Sequence, residues 1–207
     1  LLNDDAEARD EALGLMQEMV NKYNDVIIGK STYKDSKGIE RPLVTDLLWR
    51  HESNRVDYYI FGAISLHIAS IMDNPKYASV KFPQTRTEYL DFGLAYADNQ
   101  WNPLTRAEFD ARFNSSAYKH TSTLFKMSDG DWAKWEEYIK NGYSWQTRLW
   151  IDDMFMITAL QLQAWQATKD DSSCNTDPWW PAKTNSENKY LDRAVREMKL
   201  YIQKIQG

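Results

Sequence analysis

Apolar residues recur at three- and four-residue spacings along most of the chain, as expected of helices that bury one stripe. Over residues 5–24, Leu13, Met16, Met19, Val20 and Tyr23 share a face behind acidic first-turn residues, which predicts a one-faced outer helix. A polar stretch at 29–41, rich in Lys, Ser, Asp and Gly, reads as a loop. Residues 56–72 are apolar on most sides, from Tyr58 and Tyr59 through Leu66 to Ile71, and predict an interior helix stopped by Asp73-Asn74-Pro75. A helix over 86–100 brings Tyr89, Leu90, Phe92, Leu94 and Tyr96 to one face and ends before Pro103. The pattern is mixed over 103–141, with helices expected around 106–112, 117–126 and 131–140. A second interior helix runs from Trp150 to Thr168, followed by a loop with Asp177-Pro178-Trp179-Trp180-Pro181. An amphipathic helix over 190–205 closes the chain, with Leu191, Ala194, Val195, Met198, Tyr201, Ile202 and Ile205 as its apolar face. No alternating strand pattern competes.

The expected fold class is therefore all-α. Interior helices alternate with one-faced ones, which fits layered helical hairpins, as in an α/α toroid, better than a four-helix bundle. With 207 residues, one domain is the default, and no strict repeat points to a regular solenoid. A formal charge of −5 argues against a nucleic-acid binder, which would show a basic stripe. Cys174 is the lone cysteine, so neither an intrachain disulfide nor a cysteine-rich zinc site can form. His51, His67 and His120 share no metal-ligand spacing, and His67 is expected to be a satisfied core histidine. No metal or cofactor is implied, and no apolar run is long enough to span a membrane. The chain begins at Leu1 without Met, which permits export from a bacterial cytoplasm without showing it.

Chemistry concentrates at Gly142-Tyr-Ser-Trp-Gln-Thr-Arg-Leu-Trp150-Ile-Asp152-Asp153, where adjacent carboxylates open the second interior helix behind two tryptophans. Two readings of the pair are open. Asp in a first helical turn is favoured by the helix dipole alone. Carboxylates at the mouth of a packed core can also take different protonation states and divide acid and base roles between them. Trp145, Trp150, Tyr143 and Arg148 add stacking faces and a cation that suit an acidic saccharide.

Trp150-Ile-Asp-Asp-Met-Phe-Met156, with Arg55-Val-Asp-Tyr-Tyr59, Tyr89-Leu-Asp-Phe-Gly-Leu-Ala-Tyr-Ala-Asp98-Asn-Gln-Trp101 and Tyr190-Leu-Asp-Arg-Ala-Val, resembles the unsaturated rhamnogalacturonyl hydrolases of glycoside hydrolase family 105. The resemblance implies an (α/α)6 barrel and removal of a 4,5-unsaturated uronic acid from oligosaccharides left by polysaccharide lyases, as in pectin degradation. It implies Asp152 as the acid/base, Asp98 as a second acid with Asp110 as its competitor, and Trp150 and Met156 as sugar-facing residues. Arg148, Trp145 and Tyr59 complete the expected substrate contacts. Since the family barrel has twelve helices, the resemblance implies that these residues form about its first half. An oligosaccharide is the expected partner, and the oligomeric state is left open. The alternative is a non-catalytic, Trp-rich helical glycan-binding protein with Trp179-Trp180 and Trp132/Trp135 as stacking platforms. A helical protein-interaction scaffold, with an aliphatic groove and no convergent carboxylates, ranks last.

Overall fold

Thr85 shows how local chemistry sets the helix starts. Its hydroxyl accepts from the Glu88 N–H at 3.2 Å while the Glu88 carboxylate accepts from the Thr85 N–H, a reciprocal capping box that begins the helix at Arg86. The computed structural model describes residues 6–27, 32–34, 40–42, 60–101, 129–144, 146–147, 149–177 and 188–205. In chain order the helices are α1 (Ala6–Ile27), α2 (Ile60–Ile71), α3 (Arg86–Asn99), α4 (Asp129–Lys140), α5 (Ile151–Thr168) and α6 (Lys189–Ile205). Single 3₁₀ turns lie at Pro75–Tyr77 and Ser172–Asn175. The all-α class holds, with one departure in the stretch read as loop. There β1 (Thr32–Lys34) pairs antiparallel with β2 (Glu40–Pro42), Tyr33 opposite Arg41. Three-residue strands are too short to show an alternating pattern. The helices expected around 106–112 and 117–126 lie outside the described residues.

The α2–α3 pair is set by two glycines. A Cβ on Gly62 would stand 2.5 Å from Tyr96 Cβ, and one on Gly93 would stand 2.5 Å from Leu66 Cγ. The backbones thus approach closely, and Leu66, Tyr96 and Ala97 join Leu160, Ala164 and Tyr190 in the main core. A second cluster, Val20, Ile68, Ala69 and Tyr89, ties α1 to this pair, and the Tyr89 hydroxyl donates to Asn24 at 2.7 Å. His67 departs from expectation, because it is exposed on the outer side of α2 rather than held in the core.

Helices α5 and α6 form an antiparallel hairpin. At one end Asn188 Nδ2 donates to the Thr168 carbonyl at 3.2 Å. The face α6 buries is rotated from the expected one. Tyr190, Arg193, Ala194, Glu197, Leu200 and Tyr201 are inside, while Val195, Met198, Ile202 and Ile205 are exposed. Arg193 and Glu197, four residues apart, meet polar partners from other segments, so this is the face that turns inward. Likewise the inner face of α5 carries Asp153, Thr158, Gln161 and Thr168 beside Ile157, Leu160 and Ala164.

Candidate functional site

The entry to α5 is built by the connection that follows α4. Gly142 ends α4 in the left-handed conformation, φ 77°, which glycine adopts without a side-chain clash. Its carbonyl accepts from Trp101 Nε1 at 3.0 Å and from Arg196 Nη1 at 2.8 Å. The Ser144 hydroxyl donates to the Gln100 carbonyl at 2.8 Å, and the Ser144 N–H donates to Glu197 Oε2 at 3.1 Å. Thr147 Oγ1 lies within hydrogen-bond reach of Glu197 Oε1. The connection is thus pinned from two sides, by the C-terminal end of α3 and the middle of α6.

Leu149 then takes φ 61°, a left-handed conformation that costs a branched side chain about 1–2 kcal/mol. Trp150 is extended, at φ −96° and ψ 139°, and the helix begins at Ile151 with Met154 N–H donating to the Trp150 carbonyl. Trp150 supplies no side-chain cap. Trp150 thus precedes the regular helix, and it is 65% exposed. Ile151 and Phe155, one turn apart on α5, are also exposed, at 59% and 68%.

The two acids are divided. Asp152 is exposed and makes no hydrogen bond or ion pair with a described residue, whereas Asp153 is buried. Met156 is half-buried against Trp101 and Ile157. Asp98 lies elsewhere. Its carboxylate accepts from Arg193 Nη1 at 2.9 Å, Lys189 Nζ and the Tyr190 hydroxyl. Its neighbour Ala97 accepts through its carbonyl from Gln161, nine residues and roughly 14 Å beyond Asp152 along α5. No contact joins the two carboxylates expected to work together. Tyr59, Trp145, Arg148 and Asp110 lie outside the described residues.

Three buried charges went unnoticed in the sequence. Arg193 is fully buried and grips Asp177 through a two-pronged contact, Nε to Oδ2 and Nη2 to Oδ1, both 2.8 Å. Its guanidinium also lies 5.4 Å from the Trp101 ring centroid. Glu197 is the third. Burial pushes its carboxyl up to about 7, against its hydrogen bonds with Thr147 and Ser144 and the charge of Arg196, with nearby Asp153 adding to the rise. The four-residue spacing of Arg193 and Glu197 between Tyr190 and Tyr201 was the available signal, but such a pair reads equally as a solvated salt bridge.

Trp132 is buried at 5%, which removes it from the stacking platforms of the glycan-binding reading. The side chain of Trp135, and Trp179 and Trp180, lie outside the described residues. Among the described residues no group of acidic, His or Cys side chains is placed to hold a metal ion, and no helix is long and apolar enough to cross a membrane. No family model, curated protein or solved structure matches the chain.

Proposed function

We propose that the chain carries the acid/base end of a glycoside hydrolase that removes 4,5-unsaturated uronic acids, with Asp152 as the proton-transferring group. The observation that carries this reading is the split of the acid pair: Asp153 is committed to the interior, while Asp152 stands exposed in the first turn beside an extended, exposed Trp150. A strained Leu149 immediately before it supports the reading, since backbone strain of this kind collects where a side chain must be aimed. Asp98 carries two cations from α6 on its carboxylate and makes no contact with Asp152, so the reading rests on Asp152. The same proposal places these helices in an (α/α)6 toroid.

In this chemistry the Asp152 carboxyl gives its proton to C4 of the enol ether, and the C4=C5 electron pair forms the new C–H bond. Water adds to the resulting cation at C5 and returns a proton to the carboxylate. The C5 hemiketal then opens, and the anomeric carbon releases the remaining sugar as an alcohol. Lyase-generated oligosaccharides with an unsaturated galacturonyl or glucuronyl end test this directly. The ultraviolet absorbance of their conjugated double bond should fall on incubation with the protein, and absorbance that stays constant on both substrates overturns the reading.

Trp150→Ala separates a binding ring from a structural one. An exposed tryptophan contributes little to folding, so stability should change by less than about 0.5 kcal/mol. Stacking on a sugar is worth on the order of 1 kcal/mol, so oligosaccharide affinity should drop about fivefold. Calorimetric titration alongside urea unfolding checks both. Lost stability with unchanged affinity makes Trp150 structural.

A further inference from the structure

Thr147 Oγ1 sits between two acceptors, the Ser144 carbonyl oxygen at 2.7 Å and Glu197 Oε1. A hydroxyl has one proton and can give it to only one of them. If Thr147 donates to the Ser144 carbonyl, the second contact is a hydrogen bond only when Glu197 carries a proton and donates it to Thr147 Oγ1. Glu197 Oε2 meanwhile accepts from the Ser144 N–H, so a neutral Glu197 satisfies every partner around it.

We propose that Glu197 is a proton-dependent latch, a neutral carboxylic acid that donates to Thr147 and so locks the connection presenting Trp150 and Asp152. Its surroundings favour the neutral form. Glu197 is fully buried, Asp153 approaches from α5 with like charge, and Tyr138 on α4, its hydroxyl kept neutral chiefly by burial, brings no cation. Arg196, its neighbour on α6, is the opposing cation, and it is already bound to Asp192 and the Gly142 carbonyl. When Glu197 ionises, Thr147 must abandon one acceptor and a bare charge remains beside Asp153. The folded-state value, about 7, exceeds the ordinary 4.5. Stabilisation from this group is therefore complete below the ordinary value and is lost as pH rises through that window. The connection should loosen as pH rises from about 4.5 to about 7 and level off above that.

Only the effect of the latch on turnover rests on the hydrolase reading; the latch itself is read by hydrogen exchange. Peptides spanning residues 141–150 are compared in the wild-type chain, Glu197→Gln and Glu197→Ala at about pH 6 and about pH 8, after correction for intrinsic exchange. In the wild type, exchange there should rise about tenfold between the two, since local opening gains about tenfold per pH unit below the folded-state value of about 7 and levels off above it. Glu197→Gln should stay protected at both, because its amide donates to Thr147 as the acid does and its carbonyl accepts from Ser144. Glu197→Ala should be unprotected at both. Equal wild-type protection at the two values, or a Gln variant that exchanges like Ala, overturns the latch. If Glu197→Ala does not fold, the wild-type and Gln comparison still decides. In the absorbance assay, turnover should fall between about pH 6 and about pH 8 in the wild type and hold in Glu197→Gln. Absence of turnover in every variant overturns the hydrolase reading, and the exchange data decide the latch independently.

Discussion

Asp152→Asn should abolish consumption of unsaturated oligosaccharides while leaving the protein folded. The amide has nearly the same shape, and Asp152 is exposed without an ion pair to a described residue, so little folding free energy depends on its charge. What is lost is a first-turn dipole contact of about 0.3–1 kcal/mol. The effect on chemistry is far larger, because an amide can neither protonate C4 nor take a proton back, and general acid/base catalysis contributes roughly 10²- to 10⁴-fold. The neighbouring substitution is the control. Asp153 is buried and its charge lies near Glu197, so Asp153→Asn should move the unfolding midpoint and spare most turnover. Steady-state rates and urea unfolding on both variants settle the division. If Asp153→Asn is the one that kills turnover in a stable protein, the roles of the pair are reversed.

That division was only half legible in the sequence. The helix from Trp150, its start and the acid pair in its first turn follow from apolar periodicity and from the residue types, and α5 begins at Ile151. Which acid faces out did not follow. Residues 152 and 153 differ by 100° of helical rotation, and the faces of α5 are both largely apolar, so periodicity could not orient it. The same weakness misplaced the buried face of α6. The aliphatic stripe Val195, Met198 and Ile202 gives the stronger pattern, yet the helix turns Arg193 and Glu197 inward. Their partners, Asp177 sixteen residues earlier and the 142–147 connection some fifty residues earlier, are tertiary contacts that local pattern does not encode. The partners of Asp98 were hidden for a related reason. A carboxylate near the C-terminal end of α3 opposes the helix dipole, which invites a functional reading, but Lys189 and Arg193 from α6 neutralise it.

Arg193→Met should be the most destabilising single change in the described part of the molecule, by about 3–5 kcal/mol. The guanidinium is fully buried and holds Asp177, which is fully buried too, through two parallel bonds, with a third reaching Asp98. Methionine fills a similar volume, so the loss would come from charge and not from a cavity. Asp177 would be stripped of its two-pronged partner in a place that water does not reach, whereas Asp98 would keep Lys189 at a more exposed position. Arg193→Lys should recover little, because an ammonium cannot make both bonds to Asp177 and reach Asp98 as well. Arg193→Met combined with Asp177→Leu should be more stable than Arg193→Met alone, since the costly element is a buried charge that has lost its two-pronged partner. Urea unfolding midpoints across the four proteins measure this. Single variants within about 1 kcal/mol of the wild type would mean that water reaches Asp177 and that the Asp98–Arg193–Asp177 cluster does not hold α6 in place.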